Sequence, residues 1–505
     1  MYKVCLNIFY FYPFKLCDKN DKNRILKRKF ITNLILLLFL NLLIKPFWIF
    51  GIDRTVQNLV GDQNYGLYFA LFNFSMLLNI LLDAGITNYN NRNIAQHNCL
   101  LPKHLSNIVG LKFLLAIVYA VFTLGIALII GYNKIQFHLL FFLILNQFLI
   151  SFTLYLRSNI SGLHLFRTDS FISVLDRSIM IAICSILLFN NFFSTRFTIE
   201  WFVYAQTIAY LLTAIITFIV VLTKSGKIKI RFDFKFFIVF LRKSYPYALL
   251  ILLMSFYNRI DSVMLERLLP DPVGKEQAGI YAQAFRLLDA VSMFGVLFGG
   301  LLLPIFAKMI KQKETVGPMV QLSYTLLIVP AIIIAVSSVY YNEQIMDALY
   351  HSNTHHSSGI LGILMVGFIG IASTYIFGTL LTANGSLKVL NIMAFFGMIL
   401  NITLNLILIP RFQAFGSAYA SLTTQISTAA AQIILALVIF KLKPGARYII
   451  QLVLFVGVVV TFGAISKSFH YWFYGYLFVI FASMLFAFVL KLLNLKDLYK
   501  IIRYE

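Results

Sequence analysis

The sequence predicts an all-α polytopic membrane protein, on three observations. The 505 residues are 60% hydrophobic and 12% charged, with a mean hydropathy of +0.84, and such a chain lacks the polar surface a soluble globule of its size must present. Runs of about 20 mainly apolar residues recur along the whole length, each able to cross a hydrocarbon core of roughly 30 Å as a helix. Lysine and arginine concentrate in alternate connections between those runs, as the positive-inside rule requires.

Spans are expected at 31–52, 64–87, 110–131, 136–157, 171–190 and 199–223, then at 244–268, 279–307, 320–341, 358–382, 387–409, 415–440, 448–467 and 471–491. That makes about fourteen helices, each satisfying its own backbone within lipid. The first thirty residues end in the basic run Arg24-Ile25-Leu26-Lys27-Arg28-Lys29 and contain no small-residue cleavage site. They read as a cytoplasmic segment and not as a signal peptide. Both termini are then cytoplasmic. The inner connections hold Arg92 and Lys103, Arg157 and Arg167, and Lys308, Lys311 and Lys313, while outer ones hold fewer, such as Arg54, Lys134, Arg196 and Arg411.

The inner link 224–243 is the richest in charge and divides six spans from six. The expected organisation is a cytoplasmic segment at 1–30, a six-helix lobe at 31–223, the link at 224–243, a second six-helix lobe at 244–440, and two additional helices with a cytoplasmic tail at 441–505. A short internal match suggests that the lobes are repeats. Ile52-Asp53 is followed by Gly66-Leu67-Tyr68 and Phe72, and Ile260-Asp261 by Gly279-Ile280-Tyr281 and Phe285. Each copy reads as I-D, a short outer loop, then G-[LI]-Y-x3-F.

The formal charge of +23 is what basic cytoplasmic loops give, so no nucleic-acid partner is expected. Cys5, Cys17, Cys99 and Cys184 are too scattered for a metal or redox motif, and His351, His355 and His356 read as a solvated outer loop. No metal site, cofactor or catalytic residue is expected. The absence of a phosphate-binding GxxxxGK[ST] loop excludes a P-loop ATPase.

Charge inside the spans carries the functional reading. A charged side chain at the centre of an isolated helix costs about 2.5–3.5 kcal/mol on the insertion scale, so it faces water or a partner. Arg259 and Asp261 are two residues apart, a turn of about 200°, so they cannot pair with each other. Arg286 and Asp289 share one face of the next span at a similar depth, and pairing of these four across the helices is expected. Lys45 and Asp53 add charge in the outer half of the first span. Asp83 and the Asp176-Arg177 pair lie near inner helix ends, where packing ion pairs or snorkelling account for them.

The segments IDRTVQNLVGDQNYGLYFALFNFSMLLNILLDAGITNYNNRNIAQ (52–96), NRIDSVML, GIYAQAFRLLD and NLILIPRFQAFGSAYASL (405–422) resemble the polysaccharide-biosynthesis flippases, the O-antigen repeat-unit exporters of the multidrug/oligosaccharidyl-lipid/polysaccharide exporter superfamily. The resemblance implies a bacterial cytoplasmic-membrane protein that carries oligosaccharide on undecaprenyl diphosphate to the outer leaflet, between two lobes that alternate access. A polysaccharide polymerase and chain-length machinery are its implied partners. On that basis Arg259, Arg286 and Lys45 are the expected phosphate or acidic-sugar ligands, and Tyr257 and Tyr281 offer hydroxyls to sugar. Asp261 and Asp289, with Asp53 and Asp83, orient the cations or carry a coupling proton or sodium ion. Two other readings stay open: a drug or cation antiporter of the same superfamily, and a membrane-embedded polymerase, which usually has a large outer loop that this chain lacks.

Overall fold

The computed structural model describes residues 43–87, 101–163, 165–189, 197–225 and 234–493, with 36, 39–41, 90, 91 and 94. The basic run at 24–29, Arg92, Arg196, the centre of the link at 226–233, the tail from 494 and three of the cysteines lie outside the described residues. All regular structure among the described residues is helical.

A π-helical turn, Trp48–Asp53, leads directly into α1, Arg54–Leu77. Then follow α2 (Leu101–Ile130), α3 (Lys134–Gly162), α4 (Phe166–Phe189), α5 (Ile199–Ser225), α6 (Phe234–Leu268) and α7 (Val273–Lys311). The remainder comprises α8 (Gly317–Tyr340), the short α9 (Asn342–Leu349), α10 (Thr354–Ala383), α11 (Leu387–Ile439), α12 (Ala446–Ser466) and α13 (Trp472–Val489). Eleven helices among the described residues are long and apolar enough to cross a membrane, so the chain is a multi-pass membrane protein. The expected count of about fourteen is not established by them. The first expected span is described only in part, and the spans expected at 387–409 and 415–440 both lie in α11, on either side of a kink at Gln413 (φ 51°, ψ −130°).

One expectation is corrected. The stretch 53–63, read as an outer loop, is helical, because α1 begins at Arg54 and is interrupted only at Gly61, whose φ of 78° a glycine adopts without strain. The polar residues that suggested a loop are instead helical residues with side-chain partners. At its other end α1 stops at Leu77, and a single 3₁₀ turn, Asn79–Leu82, completes the segment.

The chain divides into two compact units, one of residues 1–52 and 78–248, the other of residues 53–77 and 249–505. In the first unit α3 packs on α2, α4 and α5, and α4 on α5. Asn133 opens α3 with a reciprocal cap, its side chain accepting from the Gln136 backbone while the Gln136 side chain accepts from its own. In the second unit α10 packs against α7, α8 and α11, and the α12–α13 pair rests on α8. The Tyr341 hydroxyl, 2.9 Å from the Ser466 carbonyl and 2.8 Å from its Oγ, ties the end of α8 to that of α12.

Within this second unit α1 packs along α7, and the two backbones touch. A β-carbon on Gly66 would overlap the Lys275 carbonyl and the Gly279 amide, and one on Gly279 would overlap the Asp62 carbonyl. Those glycines are the equivalent positions of the two G-[LI]-Y-x3-F segments. Each of the two matching segments therefore packs on the other. Gly66→Ala is expected to cost about 1–3 kcal/mol through overpacking and to lower the thermal unfolding midpoint in detergent. Gly125→Ala, where an added carbon meets nothing within 4 Å, should leave the midpoint unchanged or raise it.

Candidate functional site

The contact between the two matching segments is reciprocal beyond its glycines. Arg286, the residue after Phe285, reaches back to Asp53 of the first copy at 2.9 Å. Asn73, the residue after Phe72, donates to the Ser262 hydroxyl beside Asp261 of the second copy at 2.9 Å. Phe69 and Phe285 meet edge to face between them, with ring centroids 5.8 Å apart. Close backbone approach brings these side chains within reach.

Arg286 is held through its Nε. Its Nε lies 2.9 Å from the Asp53 carboxylate and donates to the Tyr65 hydroxyl at 3.0 Å, while that hydroxyl donates to Asp53 at 2.8 Å. The guanidinium lies over the rings of Phe69 at 5.1 Å and Phe72 at 5.8 Å, a placement that favours a cation. Side-chain exposure is 14% for Arg286 and 3% for Asp53. This is a buried ion pair inside an aromatic box.

Arg259 is held differently. Its two terminal nitrogens each lie 3.2 Å from one oxygen of Asp289, a two-pronged match of fork to carboxylate, with Phe285 beneath at 5.3 Å. Arg259 is 24% exposed and Asp289 27%. The expected cross-helix pairing is thus realised for Arg259 and Asp289. Arg286 finds Asp53.

Asp261 corrects the expectation, since it meets no arginine. At 1% exposure it accepts from the Tyr281 hydroxyl at 2.8 Å, the Asn405 amide at 2.8 Å and the Asn401 amide at 3.1 Å. The Ser417 hydroxyl donates to Asn405 at 2.8 Å and extends this neutral cage. Tyr281 is 1% exposed with its hydroxyl on Asp261, and Tyr257, 2% exposed, packs among Leu253, Ala394 and Met254. Both tyrosines are enclosed.

A second buried carboxylate held by neutral donors, Asp62, escaped the sequence reading because it sat in the supposed loop. It gathers the Ser352 hydroxyl at 2.7 Å, the Gln283 amide at 2.8 Å and the Asn353 amide at 2.9 Å. Nearby, Gln57 donates to the Gly279 carbonyl at 3.0 Å and Asn58 to the Leu349 carbonyl at 3.0 Å. These bonds fasten the first turns of α1 to α7 and to the segment joining α9 and α10.

The first unit holds the other expected residues. Lys45 is half-buried and has no ion pair among the described residues. Arg177 lies 3.8 Å from Asp176 and over the rings of Trp48 at 5.4 Å and Tyr210 at 5.8 Å. Asp83 pairs at 2.7 Å with Lys112, which also donates to the Leu82 carbonyl at 2.8 Å and the Ser151 hydroxyl at 3.0 Å. Lys112 was not singled out from the sequence, although a lysine in so apolar a run was its own signal. His355 meets Glu343 at 3.5 Å with both side chains exposed, and no group of three metal-ligating side chains occurs among the described residues.

Comparison with known proteins follows this geometry. The pattern of a family described as "Polysaccharide biosynthesis protein" matches residues 32–310. No curated protein sequence matches the chain. A solved structure of the lipid II flippase MurJ in an inward closed conformation is similar at a TM-score of 0.66 and 16% identity, covering 94% of this chain and 99% of that one. An inward-facing multidrug resistance MATE transporter of the MOP superfamily is similar at 0.62 and 14% identity, covering 81% and 98%. A MOP superfamily transporter from Pyrococcus furiosus, reported with a binding pocket of reverse polarity, is similar at 0.55 and 14%, covering 82% and 95%. These likenesses establish a shared helical fold.

The two arginine pairs should respond differently to mutation. Arg286→Met strands a buried carboxylate, an expected loss of about 3–5 kcal/mol, and adding Asp53→Asn should recover part of it. Arg259→Met exposes a carboxylate already a quarter open to solvent and should cost less. Chemical denaturation of Arg286→Met, Asp53→Asn and their double variant, read with the wild type as a double-mutant cycle, and of Arg259→Met beside them, checks both.

Proposed function

The chain belongs to the polysaccharide biosynthesis protein family, and on that premise we propose that it is a flippase. It carries an oligosaccharide on undecaprenyl diphosphate from the cytoplasmic to the periplasmic leaflet of a bacterial inner membrane, by alternating access and with both termini cytoplasmic. The transported unit is a precursor of O-antigen or another surface polysaccharide, to be passed to a polymerase and its chain-length machinery. It is a transporter and not an enzyme in this reading.

The observation that carries the reading is the partly exposed pair of Arg259 and Asp289. A diphosphate, like a carboxylate, offers paired oxygens that accept two parallel N–H bonds, so it can displace Asp289 from the guanidinium fork one anion for another. Between transport events Asp289 returns as the resident counter-ion, which spares Arg259 from standing alone in a low-dielectric setting. Lys45 is proposed as a further phosphate contact. Arg286, locked onto Asp53, shapes the wall and does not bind substrate first. Because Tyr257 and Tyr281 are enclosed, sugar contacts are not assigned to them.

Asp261 is proposed as the coupling residue. A buried carboxylate held only by neutral donors has no resident cation, so binding a proton or sodium ion there removes charge from the membrane interior. Asp83, fixed by Lys112, is assigned to packing. The rival reading, a drug or cation antiporter, draws on the same Asp261 cage and on the likeness to MATE transporters, but it gives Arg259 no task.

In a strain that lacks this protein and any substitute exporter, lipid-linked oligosaccharide should accumulate on the cytoplasmic face, and surface glycan should fall. Arg259→Ala at normal membrane level should lower export roughly tenfold to a hundredfold, as expected for loss of charge-assisted bonds worth about 1.5–3 kcal/mol, and Arg259→Lys should recover part. Normal surface polysaccharide in the null strain, or hypersensitivity to cationic drugs as its only change, overturns the flippase reading. Asp261→Asn should abolish the dependence of transport on the proton or sodium gradient, measured in vesicles with each gradient imposed separately.

A further inference from the structure

We propose that the first unit binds an anionic phospholipid of the bilayer in a groove between α4 and α5, an inference that does not depend on what the protein transports. A cavity of about 400 Å³ opens there, with Arg167, Phe171 and Leu175 on one side and Ile216 and Val220 on the other. The side chains on each helix recur every four residues and so share one face. From Arg167 to Leu175 the wall runs about 12 Å along the helix axis, from the first turn of α4 toward mid-membrane. The apolar walls are accessible, with Phe171 51% and Ile216 40% exposed.

The mouth is cationic. Arg167 is exposed and has no ion pair among the described residues. Asp169, the acidic residue in the same turn, is taken up by Arg157 at 2.7 Å. On α5, Lys224 lies four residues beyond Val220 in the last turn of the helix, which places a second cation at the same end of the groove. A helix pair with basic residues at headgroup level over an apolar slot matches one chemistry that the bilayer supplies throughout, a phosphate ester joined to an acyl chain. A zwitterionic lipid would fill the slot but leave the two cations without net counter-charge. A polyprenyl chain is several times longer than the slot is deep. The occupant is therefore a phosphatidylglycerol-type lipid.

The test uses the full chain purified in mild detergent and equilibrated with equimolar phosphatidylglycerol and phosphatidylcholine of identical acyl chains, with bound lipid read by native mass spectrometry. The wild type should retain phosphatidylglycerol with a preference of roughly tenfold, the scale expected of two surface cations facing one anionic headgroup. Arg167→Gln with Lys224→Gln should abolish the preference, while Ile216→Trp, which fills the slot, should abolish retention of both lipids. Arg259→Ala should keep the wild-type preference, which separates this site from the proposed substrate arginine. Unchanged preference in the double variant, or undecaprenyl phosphate displacing phosphatidylglycerol from the wild type at equal concentration, overturns the proposal. The double variant changes only charge at the membrane surface, so its lipid count remains readable even where Ile216→Trp fails to fold.

Discussion

The second unit depends on the crossing of α1 and α7 at Gly66 and Gly279. Small residues let two membrane helices approach until their backbones touch, which gains packing that lipid cannot supply. Here that approach has an electrostatic consequence. Arg286 lies two turns beyond Gly279 on α7, and only at this separation can its guanidinium meet Asp53 ahead of α1 while covering Phe69 and Phe72. With a side chain at either glycine the helices move apart, and a buried carboxylate loses its cation. Packing and charge neutralisation are one requirement at this crossing.

The carboxylates show how the fold removes charge from a setting that penalises it. Asp53 is matched by a buried arginine, Asp289 by an arginine open on one side, Asp83 by a buried lysine, and Asp62 and Asp261 by neutral donors alone. These solutions differ in how readily they can be undone. A pair sealed from solvent pays desolvation again when it opens, whereas a pair with a quarter of its surface exposed can trade one anion for another. A carboxylate with neutral donors accepts a cation without expelling one. The same residue type thus supports a fixed brace, an exchangeable contact and a cation acceptor.

Much of this was legible in the sequence, and what was not has physical causes. Hydropathy gave the fold class, because lipid selects helices, and depth matching singled out Arg259, Arg286, Asp261 and Asp289. The partners could not be read. Helical rotation separated Arg259 from Asp261 but not Asp289 from Asp53 as the destination of each arginine, since that depends on the α1–α7 distance. The stretch 53–63 looked like a loop because its polar residues, Gln57, Asn58 and Asp62, lack an apolar period. They are polar because they fasten α1 to its neighbours, three of them through side-chain bonds. Asn401 and Asn405, one turn apart, carried a signal at i and i+4 that pointed to a shared buried partner. Lys112 was hidden by averaging within its apolar run.

The placement of charge along α7 explains why one arginine is more enclosed than the other. Arg286 and Asp289 are three residues apart on one helical face, yet they do not serve each other. Arg286 turns to the buried Asp53, and Asp289 turns to Arg259 on α6. Had the two on α7 paired locally, Asp53 would have been left without a cation, and Arg259 without a counter-ion. Both charges are instead spent between helices. That arrangement ties α6, α7 and the turn ahead of α1 into a single electrostatic series in which the Arg259–Asp289 link is the more exposed. In the proposed function an anion meets that link first, and exchanging it for Asp289 leaves in place the Arg286–Asp53 pair that joins α7 to the start of α1.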